Sequence, residues 1–320
     1  MKAIRINEFG GPEVMKIEEV ERPVPKPDEI LVKMYASGVN PADYVVRQGG
    51  NEILKPFLKL PLDLGIDGAG EVEETGSEVT GFKKGDRVYG IPNFLQGTYA
   101  EFIAAKASQF AAMPKNLTFN EAGAIPSCAL MAWDGIELGK VSAGQRVLIN
   151  GAAGGIGSLA LQFAKAMGAY VIATASPHNF DFLKELGADE TVDYKDTNFE
   201  GLVNGIDVAF DASPEFNEAS RISMAKALKD GGSFVSVQLP YPFSAAVLGI
   251  LAGKHGEAKM IRRERDAARS LADVAKLIEE GKVKVVISKV YPLEEAAAAH
   301  TAVETKHVRG KIVLEIRKEH

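Results

Sequence analysis

The chain has 320 residues, of which 46% are hydrophobic and 25% charged, and its formal net charge is −6. This length and composition are typical of a globular protein of about two domains and exclude a wholly disordered chain. The negative charge argues against nucleic acid or an anionic membrane as the main partner.

Residues 1–120 are predicted to be rich in β-strands. Short apolar runs are separated there by glycines and prolines, which favour turns. The segment GIDGAGEV (65–72) places three glycines in a strand-like setting, which indicates tight bends or close backbone packing. The predicted strands are 3–6, 15–19, 30–36, 82–89 (entered by a turn at Lys84-Gly85) and 97–105.

From Glu121 onward, helices and strands alternate. The predicted helix 155–167 has its apolar residues on one continuous face and is stopped by Gly168. Near-continuous apolar strands in such an alternation predict a parallel sheet covered on both faces. The other helices are predicted at 121–138, 179–186 and 217–228, and the strands at 146–150, 170–175, 191–194, 207–211, 233–238 and near 259–262.

The last part of the chain differs again. A helix is predicted over 267–280, and the β-like tail 282–316 is expected to return and complete the first domain. The expected domains are therefore 1–122 with 266–320, and 123–265. The apolar segment 243–252 fits either an interface of a homodimer or a helix buried in its own domain.

Few metal sites can be built from these residues. Cys128 is the only cysteine, so no intrachain disulfide and no multi-thiolate zinc site can form. The five histidines, at positions 178, 255, 300, 307 and 320, show no metal-ligand spacing such as HExxH. We therefore predict no metal.

Location is predicted from hydropathy. No apolar run reaches the ~18 residues that span a bilayer, and residues 1–19 lack the apolar core of a signal peptide. A cytoplasmic protein is the expectation. The arginines at 262, 263 and 265 alternate with acids and predict a solvated surface.

The strongest local signal is the run NGAAGGIG from Asn150 to Gly157. Against the pattern GxGxxG, Ala152, Gly154 and Gly157 take the positions of the tight turn, the close approach to a pyrophosphate and the helix–strand contact. The run follows a predicted strand and opens a predicted helix, whose free N–H groups favour phosphate. These features predict a dinucleotide site made by Ala152, Ala153, Gly154, Gly155, Ile156 and Gly157.

The next predicted strand indicates which nucleotide is bound. An NAD-preferring site places an acid about 20 residues past the glycine turn, but none occurs here before Asp181. Ser176, His178 and Asn179 are candidate donors to a 2′-phosphate. The loop holds no Arg or Lys, so a cationic partner must come from elsewhere or be absent. NADPH is the predicted cofactor.

The runs GAAGGIG, ATAS and ELGAD resemble the quinone oxidoreductase (zeta-crystallin-like) branch of the medium-chain dehydrogenase/reductase superfamily. The resemblance covers nearly the whole chain in order. It implies an α/β protein with a Rossmann-like doubly wound parallel sheet domain plus a GroES-like β-rich catalytic domain. Further matching runs are GVNPADYVVRQGG (38–50), GIDGAGEV (65–72), GFKKGDRVYG (81–90), AEFIA (100–104), GGSFVSVQ (231–238) and HVRGKIVLEI (307–316).

The resemblance also bears on metal use. Zinc-dependent relatives place Cys where Asn40 stands and His-Glu where Ile66-Asp67 stand, so two ligands are missing here. The lobe with four cysteines is missing too. The chain is thus similar to the zinc-independent branch, in which reduced nicotinamide delivers hydride to a quinone or to the β-carbon of an activated alkene.

The resemblance places Asn40, Asp43 and Tyr44 beside the nicotinamide. Asn40 would hydrogen-bond substrate or cofactor, while Asp43 would be a structural partner rather than a base. Tyr44 would either donate a hydrogen bond to a developing oxyanion or be a packed aromatic.

Two more positions follow from the same resemblance. The backbone at Val237 and Gln238 resembles the segment that holds the carboxamide, and Tyr194 a residue near the 2′-phosphate. Met131 stands where many relatives have a threonine that touches the nicotinamide, and it cannot donate that hydrogen bond. Cys128 and Trp133 are predicted to be core residues.

The leading hypothesis is an NADPH-dependent reductase of quinones or α,β-unsaturated carbonyls, which positions two planar π systems rather than using acid–base catalysis. Two alternatives stay open. Oxidation of an alcohol would need a base or a metal to take the hydroxyl proton. A non-catalytic NADPH-binding protein with a structural or regulatory role would need neither.

Overall fold

The fold was analysed in a computed structural model that describes residues 1–92, 95–195, 199–238, 240–262 and 266–319. The arginines at 263 and 265 of the predicted basic surface lie outside these residues. Contacts divide the chain into two compact units. Unit 1 comprises Met1–Ser127, Arg265–Glu279 and Val285–His320, and unit 2 comprises Cys128–Glu264 and Glu280–Lys284.

Strands and helices are numbered separately in chain order. The strands are β1 (Lys2–Ile6), β2 (Lys16–Glu19), β3 (Glu29–Val39), β4 (Leu62–Asp63), β5 (Gly68–Thr75), β6 (Arg87–Gly90), β7 (Phe102–Lys106), β8 (Phe110–Ala112), β9 (Arg146–Asn150), β10 (Tyr170–Ala175), β11 (Glu190–Asp193), β12 (Ile206–Asp211), β13 (Leu228–Ser236), β14 (Glu257–Met260), β15 (Ile287–Pro292) and β16 (Lys311–Glu315). The helices are α1 (Pro41–Arg47), α2 (Phe119–Ala124), α3 (Pro126–Leu138), α4 (Gly155–Ala166), α5 (Phe180–Glu185), α6 (Phe199–Leu202), α7 (Glu218–Ala227), α8 (Ala245–Gly253), α9 (Ala267–Glu279) and α10 (Ala296–Glu304).

Unit 1 is built on the long strand β3. It pairs with β5, β7 and β16, all antiparallel, in a sheet that also holds β6, β8 and β15, and a smaller sheet joins β2, β1 and β4. Ile30, Val32 and Met34 of β3 are fully buried. The predicted close packing at the glycines is confirmed at Gly70, where a Cβ would lie 2.3 Å from the carbonyl oxygen of Lys33.

Unit 2 contains a parallel sheet with the strand order β11-β10-β9-β12-β13-β14 among its described residues. The chain enters the sheet at β9, adds β10 and β11 on one side of it, and then adds β12, β13 and β14 on the other side. Val147, Leu148 and Ile149 of β9 are fully buried because helices cover both faces. The predicted doubly wound sheet is confirmed, and the carboxyl ends of its strands lie at one edge.

Two sequence predictions for secondary structure are wrong, and one helix near the candidate site was missed. The helix over 121–138 is two helices, because Pro126 lacks the N–H group that would continue the helical hydrogen bonds across this point. The β-like tail contains helix α10, which begins with a run of four alanines, the strongest helix formers. Helix α1 was not predicted, although Asn40 caps it and Pro41 opens it.

Helix α8 occupies most of the apolar segment 243–252. Val247 and Leu251 are buried, while Leu248 is 46% exposed, so the helix contributes to the core with one face and leaves apolar side chains on the surface. Cys128 and Trp133 are buried, as predicted. Within the described ranges no helix combines the length and hydropathy needed to cross a membrane.

Candidate active site

The glycine turn of unit 2 connects β9 to α4. Gly151 has a φ of 73°, and the N–H of Ala152 donates to the carbonyl of Thr174 on β10, which holds the turn against the sheet. Gly154 is the N-cap of α4 and is half-buried. A Cβ at Gly154 would meet only the carbonyl oxygen of Gly151, 3.5 Å away, so the backbone here is open to a ligand.

Gly157 differs from Gly154. Its Cβ would lie 2.3 Å from the Gly151 carbonyl oxygen and 2.7 Å from the Ala152 Cα, so the helix and the glycine turn are in backbone contact at this point. Gly154 is the N-cap of α4, and the N–H groups in the first turn of a helix have no partners inside the helix. This geometry fits a pyrophosphate, which needs close backbone approach and several N–H donors.

A row of polar side chains crosses the carboxyl edge of the sheet in unit 2. Thr174, Asn150, Asp211 and Ser236 are in register on four neighbouring parallel strands, so their side chains share one face. The Thr174 hydroxyl donates to Asn150 Oδ1 at 2.7 Å, and Asn150 Nδ2 donates to Asp211 Oδ1 at 3.1 Å. The row fixes the strand ends from which the loops of a nucleotide site depart.

Arg221, from α7, completes the row. Its guanidinium is 1% exposed and pairs with Asp211, Nε to Oδ2 at 3.1 Å. Its Nη2 donates to Ser236 Oγ at 2.9 Å and to Gln238 Oε1 at 3.0 Å. Asp211 and Arg221 were not identified from the sequence. An acid that ends a buried strand, followed by an arginine on the next helix, was the available signal.

The residues predicted for the carboxamide segment follow β13. The Val237 N–H donates to the Asp211 carbonyl at 3.2 Å. Gln238 is buried, and its side-chain nitrogen donates to the carbonyls of Ser213 and Glu215 at 2.8 and 2.9 Å. The side chain of Gln238 therefore joins two loops, while its backbone N–H donates to Ser236 Oγ at 3.2 Å and its carbonyl accepts from the Tyr241 N–H at 2.9 Å.

The residues predicted for the 2′-phosphate follow two neighbouring strands. Ala175 of β10 is paired with Asp193 of β11, so Ser176 and Tyr194 leave adjacent strand ends. His178 and Asn179 form a short helical turn after Ser176 and contact each other, Nε2 to Nδ2 at 3.2 Å. Tyr194 is 47% exposed.

Lys195 is a basic residue at this end that was not identified from the sequence. Its ammonium lies 5.5 Å from the centre of the Tyr194 ring. Because β11 pairs with β10, Lys195 leaves the strand end beside the one that Ser176 leaves, and only the strand order shows this.

Asn40 lies in unit 1 at the start of α1, in a closed polar network. Its Nδ2 donates to Asp67 Oδ2 at 2.8 Å, and its Oδ1 accepts from Ser127 Oγ at 3.2 Å and from Lys311 Nζ. Lys311 Nζ lies 3.6 Å from Asp67 Oδ2, and both residues are buried. The ammonium neutralises a carboxylate that water cannot reach.

Asp43 lies one turn further along α1 and is 1% exposed. Its Oδ2 accepts from the Asn40 N–H at 2.8 Å and from the Tyr99 hydroxyl at 2.9 Å. Among the described residues its Oδ1 has no hydrogen-bond partner. Tyr44, the next residue, is half-buried and packs against the apolar core of unit 1.

A chain of hydrogen bonds leads from Asp43 through Tyr99 to His300 and Arg47. His300 Nε2 lies 3.3 Å from the Tyr99 hydroxyl, and Arg47 Nη1 lies 3.1 Å from His300 Nδ1. Because arginine only donates, Nδ1 accepts and Nε2 carries the proton. Arg47 also pairs with Glu304 at 2.6 Å.

Burial shifts the pKa values of Asp43 and His300, two members of this hydrogen-bond network, in opposite directions. Burial, with the nearby charge of Asp67, raises the pKa of Asp43 to about 7. Burial, with the guanidinium of Arg47, lowers the pKa of His300 to about 3. Burial and the Asp43 carboxylate raise the pKa of Tyr99 well above its usual range, so the hydroxyl stays a donor.

These shifts predict how stability depends on pH. Asp43 stabilises the fold below its unfolded pKa, and this contribution is lost as the pH rises to about 7. His300 stabilises it above its unfolded pKa, and this is lost as the pH falls to about 3. The two slopes oppose each other between about pH 4 and 6.5.

Asp43→Asn keeps an oxygen for the two donors and removes the titration. We expect the free energy of unfolding to rise with pH more steeply than in the parent, by about 1.4 kcal/mol per pH unit between pH 4 and 6.5. Urea unfolding in a series of buffers measures the slope. An unchanged slope would show that Asp43 is ionised throughout this range.

The comparisons with known proteins place the chain in a family. A family described as alcohol dehydrogenase GroES-like domain matches residues 26–115, and one described as zinc-binding dehydrogenase matches residues 186–314. The chain is 33% identical to a quinone oxidoreductase of Sus scrofa, with 98% of this chain and 97% of the relative covered.

Two further proteins are similar over most of their length. An NADPH-dependent alkenal/one oxidoreductase of the Arabidopsis thaliana chloroplast is 33% identical, with 98% of this chain and 79% of the relative covered. The structure of Escherichia coli quinone oxidoreductase complexed with NADPH has a TM-score of 0.86 and 27% identity, covering 99% of this chain and all of that one. This chain is an oxidoreductase and belongs to the quinone oxidoreductases of the medium-chain dehydrogenase/reductase superfamily.

Proposed function

We propose that this protein uses NADPH to reduce a quinone or an α,β-unsaturated carbonyl compound without a metal. The observation that carries the proposal is the glycine turn: Gly154 leaves open space exactly where α4 begins, at the carboxyl edge of a parallel sheet. The names of the similar proteins support the substrate class. The second unit is then the nucleotide-binding domain and the first unit the catalytic domain.

The proposed cofactor contacts follow the sheet edge. The residues from Ala152 to Gly157 would hold the pyrophosphate, and the backbone of Val237 and Gln238 would bind the carboxamide. A bound reduced nicotinamide supplies the hydride. The chain positions the cofactor through loops that the polar row of strand ends keeps in place.

We assign different tasks to the three residues of α1. The amide of Asn40 is held by Asp67, Ser127 and Lys311, so we propose that it keeps the start of α1 in place rather than turning toward a substrate. Asp43 stabilises the same turn by accepting a hydrogen bond from the Asn40 N–H. Tyr44 is half-buried, and its hydroxyl is the proposed donor to the oxygen that becomes negative during reduction.

We also propose that the protein works without a bound metal, although one matched family is described as zinc-binding. At the positions of the zinc ligands, Asn40 and Asp67 bind the ammonium of Lys311, and Ile66 offers no ligand atom. No group of three or more potential ligands is found among the residues that the structure describes.

Turnover with a panel of substrates tests the function. We expect NADPH oxidation with small quinones or enones, no reduction of NADP⁺ with alcohols, and full activity after prolonged chelation. Elemental analysis should find no stoichiometric zinc. A chelator-sensitive enzyme would refute the metal-free proposal, and an NADPH-binding protein without turnover on any acceptor would favour the non-catalytic alternative.

Nucleotide preference is predicted from Ser176 and Lys195. Charge-assisted hydrogen bonds are worth about 1.5–3 kcal/mol each, so one contact to a 2′-phosphate corresponds to roughly 10- to 100-fold in favour of NADPH. Ser176→Asp should abolish or reverse the preference by repelling the phosphate. Lys195→Gln should reduce the preference, because it weakens the binding of NADPH and leaves that of NADH unchanged.

Values of kcat/KM for both nucleotides measure this preference. The matched control is Lys184→Gln, which lies on α5, the helix after residues 176–179. If the parent uses NADH as well as NADPH, the assignment of the 2′-phosphate end is wrong. If Lys195→Gln affects both nucleotides equally, Lys195 is not the cation of this site.

We also propose a cytoplasmic protein that forms homodimers and has no nucleic-acid partner. The net charge of −6 supports the last point, and the exposed apolar face of α8 around Leu248 supports association of two copies. Light scattering of the purified chain measures the mass in solution. A monomer at micromolar concentration would contradict the dimer.

A further inference from the structure

Arg221 binds more groups than its charge requires. Besides the ion pair with Asp211, its Nη1 donates to the carbonyl of Tyr241 at 2.8 Å and lies 3.4 Å from that of Pro242. The guanidinium also contacts two aromatic rings, with its central carbon 4.9 Å from the centre of Phe216 and 5.4 Å from that of Phe243.

These contacts belong to two different loops. Phe216 is in the loop that follows β12, whereas Tyr241, Pro242 and Phe243 are in the loop that follows β13. The rings of Phe216 and Tyr241 stack on each other, with centres 4.9 Å apart. Arg221 therefore links both loops to the strand ends at Asp211 and Ser236, through N–H groups whose directions are fixed by one rigid plane.

We propose that Arg221 is a positioning residue for the nicotinamide end of the cofactor. The inference rests on the proposed function, which assigns the carboxamide to the backbone at Val237 and Gln238. Gln238 Oε1 accepts directly from Arg221 Nη2, so the position of that backbone depends on the guanidinium. The glycine turn, which would hold the phosphates, makes none of these contacts.

If Arg221 only balanced the charge of Asp211, the directions of its N–H groups would not matter. A lysine would also neutralise the buried Asp211, but one ammonium cannot reach Asp211, Ser236, Gln238 and the Tyr241 carbonyl together. Arg221→Lys thus separates the two roles: it keeps the positive charge and loses the contacts to the loops. Arg146→Lys is the matched control, because Arg146 starts β9 at the opposite edge of the sheet and pairs with Glu190 at 3.5 Å.

Binding is measured with NADPH and with adenosine 2′,5′-bisphosphate, which lacks the nicotinamide. For Arg221→Lys we expect Kd for NADPH to rise about tenfold or more while Kd for the bisphosphate stays within about twofold of the parent. The KM for NADPH should rise in parallel. Arg146→Lys should change neither affinity. Thermal unfolding of each variant shows whether it is folded in the assay.

Two results would overturn the inference while the proposed function stands. One is an Arg221→Lys protein that binds NADPH as tightly as the parent. The other is a folded variant that loses affinity for both ligands to the same extent, which indicates a general structural role. A parent protein that fails to bind NADPH would refute the proposed function itself, and the role of Arg221 with it.

Discussion

Gly154→Val is expected to fold like the parent and to lose roughly 10²- to 10⁴-fold in affinity for NADPH. A side chain at Gly154 would point into open space, since its nearest neighbour would be the Gly151 oxygen at 3.5 Å, and the backbone at φ −78° and ψ 176° suits a β-branched residue. That space is where the pyrophosphate is proposed to lie. Two lost charge-assisted hydrogen bonds of about 1.5–3 kcal/mol each give the stated range.

Gly157→Ala is the contrasting variant. Its Cβ would overlap the Gly151 carbonyl oxygen at 2.3 Å, so the helix and the glycine turn would have to separate. We expect a loss of about 1–3 kcal/mol or more in the free energy of unfolding. Fluorescence titration and urea unfolding of both variants measure the two effects. A Gly154→Val protein with the affinity of the parent would show that the phosphates bind elsewhere.

Lys311→Met is expected to lower the free energy of unfolding by about 3–5 kcal/mol at pH 8, because it leaves the carboxylate of Asp67 buried without its cation. Burial already raises the pKa of Asp67, and the charge of Lys311 opposes that rise. Without the lysine the pKa of Asp67 rises further. The folded protein then takes up a proton more readily, so the loss of stability should shrink as the pH falls toward the unfolded value near 3.9.

Two controls define this effect. Lys276→Met removes a lysine that is 70% exposed and pairs with Asp273 at the surface, and it should change stability by less than about 1 kcal/mol. The double variant Asp67→Asn with Lys311→Met removes both charges and should recover part of the loss. If Lys311→Met were as stable as the parent at pH 8, Asp67 would have to be neutral in the native protein.

Local sequence determined the glycine turn and the type of domain that contains it. A strand, a glycine turn and an amphipathic helix follow one another within about 30 residues, so residues 146–167 carry the whole pattern. The continuous apolar strands predicted a sheet buried on both faces for the same reason: burial on both faces is written into each strand by itself.

The local pattern was insufficient where two tendencies compete. Proline at position 126 divides a helix that the apolar periodicity predicts as continuous, and the alanines of α10 form a helix within a tail that looked β-like. Both errors concern short segments, in which one residue or one short run outweighs periodicity.

Only the tertiary structure showed which polar groups are brought together. Asn40 and Lys311 are 271 positions apart and meet because β16 pairs with the end of β3. Arg221 joins Asp211 and Gln238 because β12 and β13 are neighbours, and Lys195 and Ser176 leave adjacent strand ends because β11 lies beside β10. A buried charge requires a partner, but strand order and register decide which distant residue provides it, and neither is encoded in a local pattern.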